Sequence, residues 1–205
     1  MAMKRSEETK KRILYAAECE FAEKGLYGAR VDEIAKAAGT NKRMLYAYFG
    51  NKEELYEKVL LNVYDLLSRS EAELIEKDKN TEPSVAIKNI IGLYFDFLKS
   101  NERFVRMLMW ENLNNARYLK NTETSDIKKP VIMHIEQKIR EGKENGSFSQ
   151  KASAQRVNTA LLTFVFSYFS NMNTLSLVLG RDLSDEAELS AHRDFVCELI
   201  IKYLK

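Results

Sequence analysis

The stretch "VDEIAKAAGTNKRMLYAYF" (31–49) constrains the fold more than any other part of the chain. Val31, Ile34, Ala35 and Ala38 recur at the three- and four-residue intervals of a helix with one buried face. Gly39 then supplies a residue that turns left-handed without strain and stops that helix. Thr40 or Asn41 can cap a second short helix, because each offers a side-chain oxygen to N–H groups that have no partner inside the helix. Two short helices joined by a glycine-containing turn of about three residues read as a helix-turn-helix.

The remainder predicts helices as well. The chain has two prolines in 205 residues and few alternating Val, Ile and Thr runs, so helix breakers are scarce and strand signals poor. A first helix is expected over 6–24, ended by Gly25 and Gly28. Asn51 can cap a fourth helix that runs to about Glu76, with Glu53 and Glu54 in its first turn. Pro83 suits the start of the next. Further helices are expected over 84–99, 101–115, 126–145, 151–178 and 185–204, with a loop over 120–126. The fold class is therefore all-α, with about nine helices.

Charge and composition narrow the partners. Up to Lys52 there are eleven Lys/Arg against seven Asp/Glu, a net of +4, while the remainder carries 21 against 23, a net of −2. A basic head on a mildly acidic body suits a polyanion at the head. Cys19 and Cys197 form no metal-spacing pattern and are expected as reduced thiols. The most apolar run, 160–169, is too short to span a bilayer. These features predict a soluble, cytoplasmic protein without membrane contact. Enzyme readings lack parts: His134 and His192 have no metal-ligand spacing, and there is neither a glycine-rich phosphate loop nor a nucleophile elbow. No catalytic residue, metal or cofactor is expected.

The second short helix explains its own composition. At about 100° per residue, Leu45 and Phe49 share one face and are the core anchors. Arg43 and Ala47 point the opposite way. Tyr46 with Lys42 and Tyr48 with Met44 fall on the two flanks. A helix laid in the major groove of DNA has a bottom that meets base edges and two walls that meet phosphates. Arg43 is placed to read bases, and Tyr46, Tyr48 and Lys52 to hold the backbone.

From "FAEKG" through "IAKAAG" to "LYAYFGNKEEL", residues 8–60 resemble the DNA-binding region of the TetR family of bacterial transcription regulators. Arg30 stands where the family often has Thr or Ser, and Arg43 and Met44 where it often has a small residue and Thr, so base preference is not transferable. The resemblance implies a DNA-binding head (1–52) and a body for ligand binding and dimerisation (53–205), linked by the helix at 53–76. It implies DNA contacts from Arg30, Thr40, Asn41, Lys42, Arg43, Met44, Tyr46, Ala47, Tyr48 and Lys52. It also implies an effector pocket in the body, for which Tyr94, Phe104, Met107, Trp110, His134 and Phe164 are candidates, and an apolar or aromatic effector.

The last two helices carry broad apolar stripes: Val157, Leu161, Phe164, Val165 and Tyr168, then Phe195, Val196, Leu199, Ile200 and Tyr203. Two such helices from each of two chains would close a four-helix bundle, hence an expected homodimer on a pseudo-palindromic operator. The expected function is a transcriptional repressor released by a small molecule. A helical-bundle adaptor without DNA binding is the alternative.

Overall fold

The computed structural model describes residues 2–121 and 129–205, and no strand occurs among them. Most of the expected loop at 120–126 and the first residues of the helix expected from 126 lie outside the described residues. The chain divides into two compact units, residues 1–66 with 102–125, and residues 67–101 with 126–205.

The first unit contains α1 (Ala2–Gly28), α2 (Val31–Ala37), α3 (Lys42–Phe49), the first part of α4 (Lys52–Lys77) and α6 (Glu102–Leu113). α1 starts earlier than its sequence suggests. Its regular course breaks at Gly25, where φ is 66° and ψ 177°. Ile13, Phe21, Ile34, Leu45, Leu55, Tyr56 and Met107 are wholly buried in one cluster. Phe21 meets Tyr56 edge-on, with ring centroids 5.1 Å apart.

The sequence placed residues 102–125 with the body. In the structure α6 runs along α1 instead. Arg103 Nε donates to Glu18 Oε1 at 2.6 Å, and Trp110 Nε1 donates to the Ala22 carbonyl at 3.2 Å. A Cβ on Gly25 would lie 2.8 Å from the Trp110 indole, so the missing side chain admits the ring. The cause is the apolar stripe of α6. Phe104 packs on Tyr64 and Met107 enters the first unit's core.

The second unit contains the end of α4, α5 (Pro83–Ser100), α7 (Lys129–Glu144), α8 (Ala154–Leu179) and α9 (Glu186–Leu204). Pro83 occupies the first turn of α5, and the Glu82 carboxylate accepts from the Ser84 and Val85 N–H groups. Ser153 and Asp185 cap α8 and α9 in the same way. Apolar faces at helical spacing build the core: Ile87, Ile90, Ile91 and Tyr94 on α5, Val131, Ile135 and Ile139 on α7, Val157, Leu161 and Val165 on α8, and Val196, Ile200 and Leu204 on α9.

The run 160–169 belongs to a longer element than its own length suggested. α8 has 26 residues and is long and apolar enough to cross a membrane by length and composition, with 17% of its most apolar window buried within the chain.

Candidate nucleic-acid interface

The turn between α2 and α3 is built from backbone hydrogen bonds. Thr40 N–H donates to the Ala35 carbonyl at 2.9 Å and Gly39 N–H to that of Lys36 at 3.1 Å, with Gly39 at φ 61°. Of the two expected caps Asn41 acts: its Oδ1 accepts from Met44 N–H at 2.8 Å. Ile34, Ala35 and Ala38 on one side of the turn and Leu45 on the other are buried. Buried Leu45 fixes the rotation of α3 about its axis. Lys42, Arg43, Met44, Tyr46 and Ala47 are then left exposed, as are Arg30 and Asn41, while Thr40, Tyr48 and Lys52 are half-buried. All ten residues expected to meet DNA thus belong to α3, its flanking turns and the ends of α2 and α4. Phe49, an expected core anchor, is only half-buried.

Neighbouring helices fix the rim of this surface. At the entry to α2, Arg30 N–H donates to Glu20 Oε1 at 3.0 Å. Burial pushes the Glu20 carboxyl up, but hydrogen bonds from Lys24 and from the Arg30 backbone outweigh it and hold the group below its ordinary value. At the exit, Asn51 Oδ1 accepts from Glu54 N–H at 2.9 Å while Asn51 Nδ2 donates to Glu54 Oε1 at 2.6 Å. This fixes the start of α4, where Lys52 is the first residue.

Two residues here escaped the sequence reading. Lys10 of α1 holds its ammonium 5.8 Å from the centre of the Tyr48 ring while pairing with Glu7 at 2.9 Å. Asp32 of α2 lies 3.4 Å from the Lys42 ammonium. Only the fold brings α1 to the flank of α3. The Asp32–Lys42 approach follows from the angle of the turn, which helical periodicity does not encode. Among the described residues no ion pair joins Arg43 or Lys52. The surface therefore presents an outward guanidinium between flanking phenols and ammoniums, a set suited to base edges in the groove and phosphates on its walls.

The six effector candidates divide between the two units. Phe104, Met107 and Trp110 belong to the first unit, packed on Tyr64, in the core and against Gly25 respectively. In the second unit Tyr94 is buried and donates to Glu71 Oε1 at 2.6 Å. His134 is buried with no hydrogen-bond partner for Nε2 among the described residues, and Phe164 is exposed on α8. Helical spacing marked these as apolar without saying which neighbour each would meet. A surface groove of about 1000 Å³ does occur in this unit, lined among others by Leu74, Gly92, Leu93, Cys197 and Ile201, and none of the six lines it.

The ten residues expected at a dimer interface divide as well. Val157, Leu161, Val165, Tyr168, Val196 and Ile200 are buried inside the chain's own second unit. Phe164, Phe195, Leu199 and Tyr203 remain exposed, and Leu162 joins them. A stripe broad enough to serve two neighbours does not reveal which side faces inward.

Comparison with known proteins agrees with this geometry. A family model described as bacterial regulatory proteins, tetR family, matches residues 13–59. One described as tetracyclin repressor-like, C-terminal domain, matches residues 83–200. The chain is 26% identical over 201 residues to the HTH-type transcriptional repressor NicS of Pseudomonas putida, covering 98% of this chain and 94% of that protein. It is 36% identical over 113 residues to the HTH-type transcriptional repressor SCO4008 of Streptomyces coelicolor, covering 55% and 54%. Among solved structures, the putative transcriptional regulator SCO4942 of Streptomyces coelicolor superposes with a TM-score of 0.67 at 25% identity, covering 96% of this chain and 98% of that one.

Proposed function

The chain belongs to the TetR family of bacterial regulatory proteins and is a DNA-binding transcriptional regulator, and from that premise we propose that it is a homodimeric repressor released from a pseudo-palindromic operator by a small molecule. The observation that carries the DNA-reading assignment is α3 itself. Asn41 caps it, buried Leu45 fixes its rotation, and Arg43 and Ala47 are left facing outward between Tyr46 and Tyr48. Arg43 reads base edges, and Tyr46, Tyr48 and Lys52 hold phosphates. The protein works in the cytoplasm, where bacterial DNA lies.

Dimerisation is assigned to the exposed apolar residues of α8 and α9. Phe164, Phe195, Leu199 and Tyr203 are each more than a third exposed on these two helices, and apolar surface gathered in one patch marks an interaction site. The exposed apolar surface of α8 is assigned to a second copy rather than to a bilayer. α9 exposes large apolar residues as well, and α8 also exposes Gln155, Arg156, Asn171 and Asn173, which are costly in a hydrocarbon core.

The effector reading rests on the family and on the 83–200 match. Its energetic requirement is general: the effector binds the DNA-free form more tightly, or it shifts nothing. The deciding experiment titrates the protein against duplex at two salt concentrations. Binding that weakens steeply with salt is expected, through counterion release. Absence of duplex binding at low salt would return the chain to the adaptor reading. A thermal-shift screen of apolar and aromatic compounds, followed by DNA release, tests the effector.

A further inference from the structure

Lys42 is the first residue of α3, where the helix dipole and the free N–H groups disfavour an ammonium. The compensating anion is not on α3, whose first turn holds no acidic residue. It is Asp32, in the first turn of α2. The Lys42 ammonium lies 3.4 Å from Oδ1 and 3.4 Å from Oδ2 of that carboxylate. The Lys42 side chain is 50% exposed and that of Asp32 64%, so both are open to solvent and to a phosphate.

We propose that Asp32 is a built-in competitor of DNA phosphate: it holds Lys42 in the free protein, and a phosphate takes its place when α3 docks. The inference rests on the assignment of α3 as the DNA-reading helix and adds a residue that limits affinity. Both oxygens of the carboxylate face the ammonium, as two phosphate oxygens would. The four-carbon stem of lysine lets the ammonium swing from one anion to the other while α3 stays still. Docking therefore breaks one ion pair and leaves Asp32 unpaired facing a polyanion. That penalty does not depend on base sequence, because phosphate contacts carry no sequence information. Asp32 thus lowers affinity for every duplex alike and leaves the ratio between sequences unchanged. Arg43, whose guanidinium no ion pair holds among the described residues, remains free to set that ratio.

The experiment uses the full chain and two probes, a random-sequence duplex and a duplex selected from a random pool by the wild-type protein. Asp32→Asn is expected to tighten binding to both by a similar factor, about threefold to tenfold per dimer, which is what two exposed ion pairs supply. In a Lys42→Met background the same substitution is expected to gain clearly less, because the pair it would release is already absent and only the repulsion between Asp32 and the polyanion is relieved. Thermal melts of all four proteins should coincide within a few degrees, which excludes altered folding as the cause. An unchanged affinity for Asp32→Asn, an equal gain in the Lys42→Met background, or a gain confined to one duplex overturns the exchange while DNA binding stands. Wild-type protein that binds neither duplex at low salt overturns the DNA-reading assignment itself.

Discussion

Arg43, Tyr48 and Leu45 stand within six residues of one another on α3, and their surroundings assign them different work. Arg43 is exposed and faces outward. Arg43→Ala should cost roughly 1–3 kcal/mol on a selected duplex and much less on random duplex. Tyr48 is half-buried, its ring edge-on to Phe49 at 6.4 Å and beneath the Lys10 ammonium. Tyr48→Phe keeps that packing and removes one hydroxyl, so both duplexes should weaken alike, by about 1 kcal/mol for one hydrogen bond. Parallel titrations decide between these roles, and a Tyr48→Phe variant that relaxes sequence preference would mean the helix is rotated otherwise in the groove. Leu45 is wholly buried. Leu45→Ala should destabilise the first unit by about 2–5 kcal/mol, read by chemical denaturation. A different residue-scale effect concerns acid. Burial first, and the Lys138 ammonium second, hold the His134 imidazole below its ordinary value against the opposing pull of Asp78 and Glu141. The unfolded chain thus takes up this proton before the folded chain does. The stabilising contribution is complete above about pH 6.5, the unfolded imidazole value, and is lost as pH falls toward the lower folded value. His134→Gln should therefore flatten the fall of melting temperature between about pH 7 and 5. His192, also lowered by burial, would leave part of the slope in place.

At the scale of elements, the break in α1 and the face of α6 form one joint. Tyr15, Glu18, Ala22 and Gly25 recur along one side of α1. α6 meets them through Arg103, which lies over the Tyr15 ring and bonds Glu18, and through Trp110, which bonds Ala22 and covers Gly25. Gly25 needs both its positive φ and its missing side chain. Gly25→Ala brings a strained backbone, which alone costs about 1–3 kcal/mol, and in addition a methyl 2.8 Å from the indole. Trp110 is the chain's single tryptophan, so its emission reports this joint directly. The variant should unfold at lower denaturant and show altered Trp110 emission before unfolding. Unchanged emission would place the ring elsewhere. Within the second unit, Lys138 does comparable work. Its buried ammonium donates to the Lys79 and Thr81 carbonyls at 3.0 and 3.1 Å and to Glu141 at 2.9 Å, and so ties α7 to the connection between α4 and α5.

At the scale of the whole molecule, the proposed assembly depends on the exposed apolar residues of α8 and α9. If a second copy covers Phe195 and Leu199, placing a charge at either should abolish the dimer, because a buried unpaired ammonium is costly. Phe195→Lys and Leu199→Lys should sediment as monomers at concentrations where the wild type is dimeric. They should also bind a two-half-site duplex at least about tenfold more weakly, since linked heads gain from effective concentration. Wild type sedimenting as a monomer at every concentration would remove the dimer from the proposal.

Much of this was legible in the residues. The apolar spacing of Val31, Ile34, Ala35 and Ala38, the stop at Gly39 and the anchor at Leu45 determined the helix-turn-helix and the rotation of its second helix, because both follow from local periodicity and from backbone freedom at one glycine. Among the described residues, the helices and most of their boundaries followed from the same source. Tertiary structure decided what periodicity leaves open, namely which neighbour each apolar face meets. It put α6 against α1, assigned Trp110 to the first unit and Tyr94 and His134 to the second, and buried Val157 and Val196 while leaving Phe164 and Phe195 outside. It also brought Asp32 to Lys42 and Lys10 to Tyr48. A helix's sequence records that a face is apolar or charged. Its partner is chosen by the packing of the whole core, which minimises exposed apolar area over all helices at once.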